Sequence, residues 1–325
     1  MTVVTYRQAI TRGIADALAA DEDVFLFGED VARAGGAFKT TTGLWERFGD
    51  DRVMDTPISE QAIVGTAIGA AIRGLRPLAE VMFADFAAVC FDGIVNELAK
   101  YRYMTGGQVN CPVTIHMANG AGTGFAAQHS QPAENWFLNT PGLKVVVPAT
   151  VTDAYALMRA AVEDDDPVLY FEHKGLFGMR GELPDVVEPV QLGVADLVRE
   201  GDAVTVVATQ QMRHRALSAA DALAQEGIEV ELIDPRTLVP FDHAAVRRSV
   251  EKTNRLVVVQ EGSAGASWGG TLIAHVLQDG FELLDAPPRL ISSDETPVPY
   301  AGVLEAAWLP SVERIAEEVR SIVRY

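Results

Sequence analysis

The sequence predicts an α/β chain of two doubly wound domains, on three observations. Short apolar runs at 24–27, 112–117, 203–209 and 256–260 alternate with segments of helical period, the pattern of parallel βαβ units. That alternation weakens between Gly175 and Gly193, where prolines, glycines and acids crowd together, and then starts afresh. A length of 325 residues with 48% hydrophobic content is enough for two cores. The expected division is 1–190 and 194–325, with a linker at about 175–193.

In chain order, 5–20 has helical apolar spacing and 24–27 reads as a buried strand ending in Gly28-Glu29-Asp30. Acids at the carboxyl end of such a strand are site candidates, although turn acids are the commoner case. Ser59 is a good N-cap for an almost uncharged helix with Gly65 and Gly69 four apart. Such a helix is expected to be buried on most sides and to admit a close neighbour. Gly74 is its C-cap, and 78–83 is a short strand. Glu60 at the helix head is either a solvated first-turn acid or one kept inside for chemistry.

The segment 88–104 reads as one long helix, stopped by Gly106-Gly107. After the strand at 112–117 comes Asn119-Gly120-Ala121-Gly122-Thr123-Gly124, which lacks the third glycine of a dinucleotide fingerprint and the downstream acid. NAD binding is therefore excluded, and the loop is read as delivering His129. The pattern continues with strands at 144–147 and 167–172 and a helix at 151–162. The second half adds strands at 203–209, 229–233 and 256–260, with helices at 214–225, 242–250, 267–277 and 311–323. It holds no cluster of histidine, cysteine and carboxylates.

A net charge of −19 argues against nucleic acid, whose phosphates would be repelled. No apolar run reaches the roughly 18 residues of a membrane span, and MTVVTYRQAI is unlike a signal peptide, so no membrane partner is expected. Two cysteines, Cys90 and Cys111, fit a reducing cytoplasmic setting without disulfides or a zinc site.

Pro57-Ile58-Ser59-Glu60-Gln61, Gly65, Gly69, Gly74-Leu75-Arg76-Pro77 and Phe83-Ala84-Asp85-Phe86 together resemble the β subunit of the E1 component of thiamine-diphosphate 2-oxoacid dehydrogenases, the pyruvate, branched-chain and acetoin type. The resemblance runs along essentially the whole chain. It implies a pyrimidine-binding domain for the cofactor followed by a transketolase C-terminal-like domain. In that family the cofactor's aminopyrimidine removes its own C2 proton, provided a buried carboxyl group hydrogen-bonds the opposite ring nitrogen. Burial favours the protonated acid, whereas the helix N-terminus favours the anion.

The resemblance assigns that carboxyl to Glu60. It places Phe86 as the stacked aromatic, with Met82 and Ile58 lining the pocket, although Phe86 and Met82 fit a plain core equally well. Glu29 matches an acid that relays protons between paired sites, and His129 the histidine that faces the reactive carbon and assists acyl transfer. A potassium site matches Val113, Ala161, Val162, Asp164 and Asp166, where an ordinary acidic loop is the alternative.

No GDG motif occurs, so the resemblance places the diphosphate and Mg²⁺ ligands on an α subunit. It implies an α₂β₂ assembly, with a second β subunit and the E2 lipoyl acyltransferase as further partners. The chain departs from the family pattern at His116 (usually Arg), Gly93 (Gln), Gln210 (Gly) and Pro235 (Leu). Phe171-Glu172-His173-Lys174 leans toward acetoin- or pyruvate-type members. The expected reaction, with the α partner, is decarboxylation of a 2-oxo acid or cleavage of acetoin, then acyl transfer to lipoamide. A split transketolase-like transferase and a non-catalytic interaction subunit are the rival readings; retention of Glu60 and His129 speaks against the latter.

Overall fold

A computed structural model describes residues 1–325, which divide into two compact units: Met1–Asn119 with Trp136–Leu192, and Gly120–Asn135 with Gly193–Tyr325. None of the helices is long and apolar enough to cross a membrane.

The first unit contains β1 (Thr2–Thr5), α1 (Tyr6–Ala20), β2 (Val24–Gly28), α2 (Leu44–Phe48), β3 (Val53–Asp55), α3 (Glu60–Ile72) and β4 (Arg76–Phe83). It continues with α4 (Tyr101–Met104), β5 (Thr114–Asn119), β6 (Lys144–Val146), α5 (Val151–Glu163), β7 (Val168–His173) and β8 (Arg180–Leu183). Strands β6-β7-β5-β4-β2-β3 form a parallel sheet in that order. Strands β2 and β7 are buried at every position, as expected of parallel strands covered on both faces. Helix α1 starts with a capping box between Thr5 and Gln8. It buries Tyr6, Ile10, Ile14 and Leu18 in one core with Ala154, Leu157 and Met158 of α5. Inside the segment read as a linker, β8 turns back to pair antiparallel with β1.

Two features of this unit differ from the sequence reading. The helix expected over 88–104 is not continuous: a 3₁₀ turn (Ala84–Ala88) leads into it, and the range itself holds a π-helical turn (Gly93–Leu98) followed by α4. Gly93 packs against α3, where an added Cβ would lie 3.1 Å from Val64 Cγ1. Helix α3 is buried on one face only, through Ile63, Val64, Ala67, Ile68 and Ala71. Gly65 and Gly69 lie on its open face, where a Cβ added at either would meet nothing within 4 Å.

The second unit contains β9 (Asp196–Arg199), β10 (Val204–Ala208), α6 (Gln210–Ala224), β11 (Val230–Asp234), β12 (Thr237–Val239), α7 (His243–Thr253) and β13 (Leu256–Val259). It closes with α8 (Trp268–Gly280), β14 (Arg289–Ile291), α9 (Gly302–Trp308) and α10 (Val312–Val323). Its sheet order is β14-β13-β10-β11-β9, parallel except for β9, an antiparallel edge that the apolar pattern does not reveal. Gln210, at a position where the resemblance expects glycine, has φ 48°, the left-handed region that glycine favours.

Candidate active site

In the first sheet the chain runs from β2 to its neighbour β3, then crosses back to β4 on the other side of β2. The order therefore reverses between β2 and β4, and ligands of open α/β sheets bind beyond the carboxyl ends of strands at such a point. Glu29 follows β2, Ile58 and Glu60 follow β3, and Met82 and Phe86 end and follow β4. Five sequence-predicted residues thus come from three adjacent strand ends.

Glu29 and Glu60 are both buried, each only 7% exposed. Ser59 holds the N-cap position of α3, but its hydroxyl makes no capping bond. Burial raises the Glu29 carboxyl above its ordinary range, and the charge of Glu60, then that of Asp30, raises it further. Behind them, burial and next the charge of Glu60 push the Cys90 thiol up to about 12. The Phe86 ring is half-buried and stands edge-on to Phe83, with centroids 5.4 Å apart. Met82 is half-buried, whereas Ile58 is 82% exposed. Phe86, Met82 and Ile58, at the same group of strand ends as the two buried acids, offer the partly apolar surface and the carboxyl group that an aminopyrimidine ring would need.

A second buried cluster lies beneath this one. Glu80 pairs in register with Gly28 on β2 and with His116 on β5. Gly28 has no room for a side chain, since a Cβ there would lie 2.9 Å from the Cβ of Glu80. His116 Nδ1 is 2.7 Å from Glu172 Oε1, and its Nε2 is 3.6 Å from Glu80 Oε2. Burial pushes Glu80 up to about 7; His116 opposes this, while Glu172 and Glu29 add to it. Burial resists charging of the His116 ring, but Glu172 and Glu80 outweigh it and raise its proton affinity. The sequence reading missed Glu80; its signal was one acid within an otherwise apolar strand.

His129 belongs to the second unit, half-buried in the Gly120–Asn135 segment. The backbone N–H of Gly122 donates to Glu305 at 2.8 Å, that of Gly124 to the same carboxylate at 3.0 Å, and that of Ala121 to Glu261. These two acids also escaped the sequence reading.

The oxygens of the proposed potassium loop have partners within the chain. The carbonyls of Val162, Glu163 and Asp164 accept from Arg76 Nη1 at 3.4, 3.3 and 3.1 Å, and Arg76 also pairs with Asp165. The Ala161 carbonyl accepts from Thr114 and the Val113 carbonyl from the Val168 N–H. Lys144 holds the Asp164 carboxylate at 2.6 Å, and Arg102 pairs with Asp166. The structure holds no group of three metal-ligating side chains.

Residues 2–179 match the transketolase pyrimidine-binding domain family, and 193–315 match the transketolase C-terminal domain family. The chain is 44% identical to the acetoin:2,6-dichlorophenolindophenol oxidoreductase β subunit of Bacillus subtilis, covering 96% of this chain and 95% of that one. It is 42% identical to the pyruvate dehydrogenase E1 component β subunit of Rickettsia felis, over 99% of each. Among solved structures, a split-gene transketolase in an inactive β₄ tetramer superposes with a TM-score of 0.82 at 23% identity over 99% of both chains, which shows a shared fold.

Proposed function

This chain belongs to the family of E1 β subunits of thiamine-diphosphate-dependent 2-oxoacid dehydrogenases, and we propose that it supplies the aminopyrimidine side of an active site completed by an α subunit. The observation that carries the proposal is the buried pair Glu29 and Glu60 at the sheet's switch point. When bound, thiamine diphosphate supplies the nucleophilic carbon and the electron sink for decarboxylating a 2-oxo acid or cleaving acetoin. Glu60 offers a desolvated carboxyl to the ring nitrogen of the pyrimidine, where a hydrogen bond is strong because water is excluded. Phe86, Met82 and Ile58 bind the ring. Glu29, whose proton affinity is raised by burial and by the charge of Glu60, is the acid that relays protons between paired sites. His129 assists acyl transfer to the lipoyl arm.

The chain lacks GDG, so the α subunit carries the diphosphate and Mg²⁺ ligands, in an α₂β₂ assembly with a second β subunit. The open face of α3 and the uncovered Ile58 leave room for such a subunit. The acidic charge suits a basic domain of the E2 lipoyl acyltransferase, and two free buried cysteines suit the cytoplasm. In the loop matched to potassium, Arg76 and Lys144 already serve the oxygens, so no step is assigned to that ion.

Reconstitution with the α subunit tests this reading. Pyruvate and acetoin are offered with lipoamide, and turnover is expected only when both chains are present. His129→Ala is expected to keep cofactor binding and lower lipoamide acylation at least ten-fold. Full acylation by that variant, or turnover by the α chain alone, contradicts the proposal.

A further inference from the structure

The segment that carries His129 is fastened at both ends within the second unit. At its start, Gly120, Gly122 and Gly124 have φ of 83°, 91° and 77°. Alternating left-handed glycines turn successive N–H groups to one side, a concavity that takes an anion. Here the anions belong to the protein. Glu305 Oε1 accepts from Gly122 N–H at 2.8 Å, and Gly124 N–H is 3.0 and 3.3 Å from its two oxygens. Glu261 accepts from Ala121 N–H. Glu305 is 4% exposed, so water competes little for these charge-assisted bonds.

Both acids sit on rigid supports. Glu305 lies on α9, which is anchored where Trp308 Nε1 donates to the carbonyls of Asp294 and Thr296 at 3.0 and 3.1 Å. Glu261 lies two residues beyond the end of β13. At the far end of the segment, Asn135 Oδ1 accepts from Trp268 N–H at 2.9 Å, at the start of α8. Pro132 lies against Gly262, where an added Cβ would be 2.6 Å from the proline Cγ. His129 is thus suspended between two tethered ends, with Ala126 at φ 58° bending the span between them.

We propose that Glu305 and Glu261 are positioning residues: they hold the glycine-rich loop in the one conformation that presents His129 for acyl transfer. The inference rests on the role given to His129 above. An isolated buried carboxylate is costly. Here two of them are held opposite three backbone donors at the start of the only stretch that delivers this histidine. A clamp of this kind acts through His129, so its removal and removal of the imidazole are not independent.

The experiment uses the reconstituted complex with its α partner and reads two quantities. Amide hydrogen exchange at Gly122 and Gly124 reports the clamp itself. Acylation of a lipoyl domain, set against decarboxylation read with 2,6-dichlorophenolindophenol, reports the histidine. Glu305→Ala is expected to speed exchange at both amides at least ten-fold and to lower acylation at least ten-fold more than decarboxylation. Glu305→Gln keeps one acceptor oxygen and is expected to fall between; it carries the test alone if the alanine variant does not fold. The double variant Glu305→Ala/His129→Ala is expected to acylate no more slowly than His129→Ala. Unchanged exchange overturns the clamp, and a multiplicative loss in the double variant overturns its action through His129. Normal acylation by His129→Ala overturns the reading of the histidine and, with it, the purpose assigned to the clamp; the exchange data then still decide whether the clamp exists.

Discussion

His116 stands directly across from Glu80 in the β4–β5 register, its Nε2 3.6 Å from Glu80 Oε2 and its Nδ1 2.7 Å from Glu172. One imidazole thus sits between two buried acids where the family pattern has arginine. Both Glu80 and His116 bind protons more tightly than their free side chains do, and they titrate as a coupled set.

A group whose pKa is raised by folding stabilises the fold below its unfolded value and loses that contribution as pH rises through the folded one. For Glu80 the loss runs from an ordinary 4.5 to about 7, and His116 extends it above 6.5. Unfolding free energy is expected to drop by about 2 kcal/mol between pH 5 and pH 8 from this cluster. His116→Arg, which cannot lose its charge, is expected to flatten that slope by at least half in denaturant titrations across the range. An unchanged slope sinks the assignment.

Gly142 has φ 103°, and a Cβ there would lie 2.0 Å from the carbonyl oxygen of Ala99. Both strain and overlap fall on backbone, which has little freedom to yield. Gly142→Ala is expected to cost more than about 3 kcal/mol or to prevent folding. Gly43→Ala, with φ 81° but nothing within 4 Å, is expected to cost only about 1 kcal/mol. Equal midpoints in urea for the two variants would contradict the account.

Cys90 and Cys111 are buried, and burial lifts their thiols to about 12 and about 11. Thiolate is the reactive species, so both are expected to resist alkylation at pH 8 by roughly 100-fold relative to the chain in guanidinium. Mass spectrometry of iodoacetamide-treated native protein gives the answer, and rapid labelling at Cys90 or Cys111 would contradict their burial.

Much of this was legible in the sequence because parallel strands and amphipathic helices leave strong periods. Strands β2, β5, β7, β10, β11 and β13 fall within a residue or two of their apolar runs. The broken helix around Gly93 was not legible, because the π turn keeps helical-looking spacing while α3 takes the space beside it. The face of α3 with Gly65 and Gly69 reads as buried from composition, yet this chain alone does not cover it. Glu60, Glu29, Met82 and Phe86 were found through motif resemblance, and the structure brings them to one switch point. Glu80, Glu261 and Glu305 were missed because each is a single acid whose meaning depends on distant strands and loop amides.

The proposed function requires a carboxyl group at position 60 that is kept from water and given to the cofactor's pyrimidine. Exchange of the thiamine C2 proton, followed by NMR in the complex with the α subunit, measures that directly. Glu60→Gln is expected to slow this exchange at least 100-fold while the cofactor still binds. Exchange at the wild-type rate in that variant would contradict the claim on which the proposed function stands.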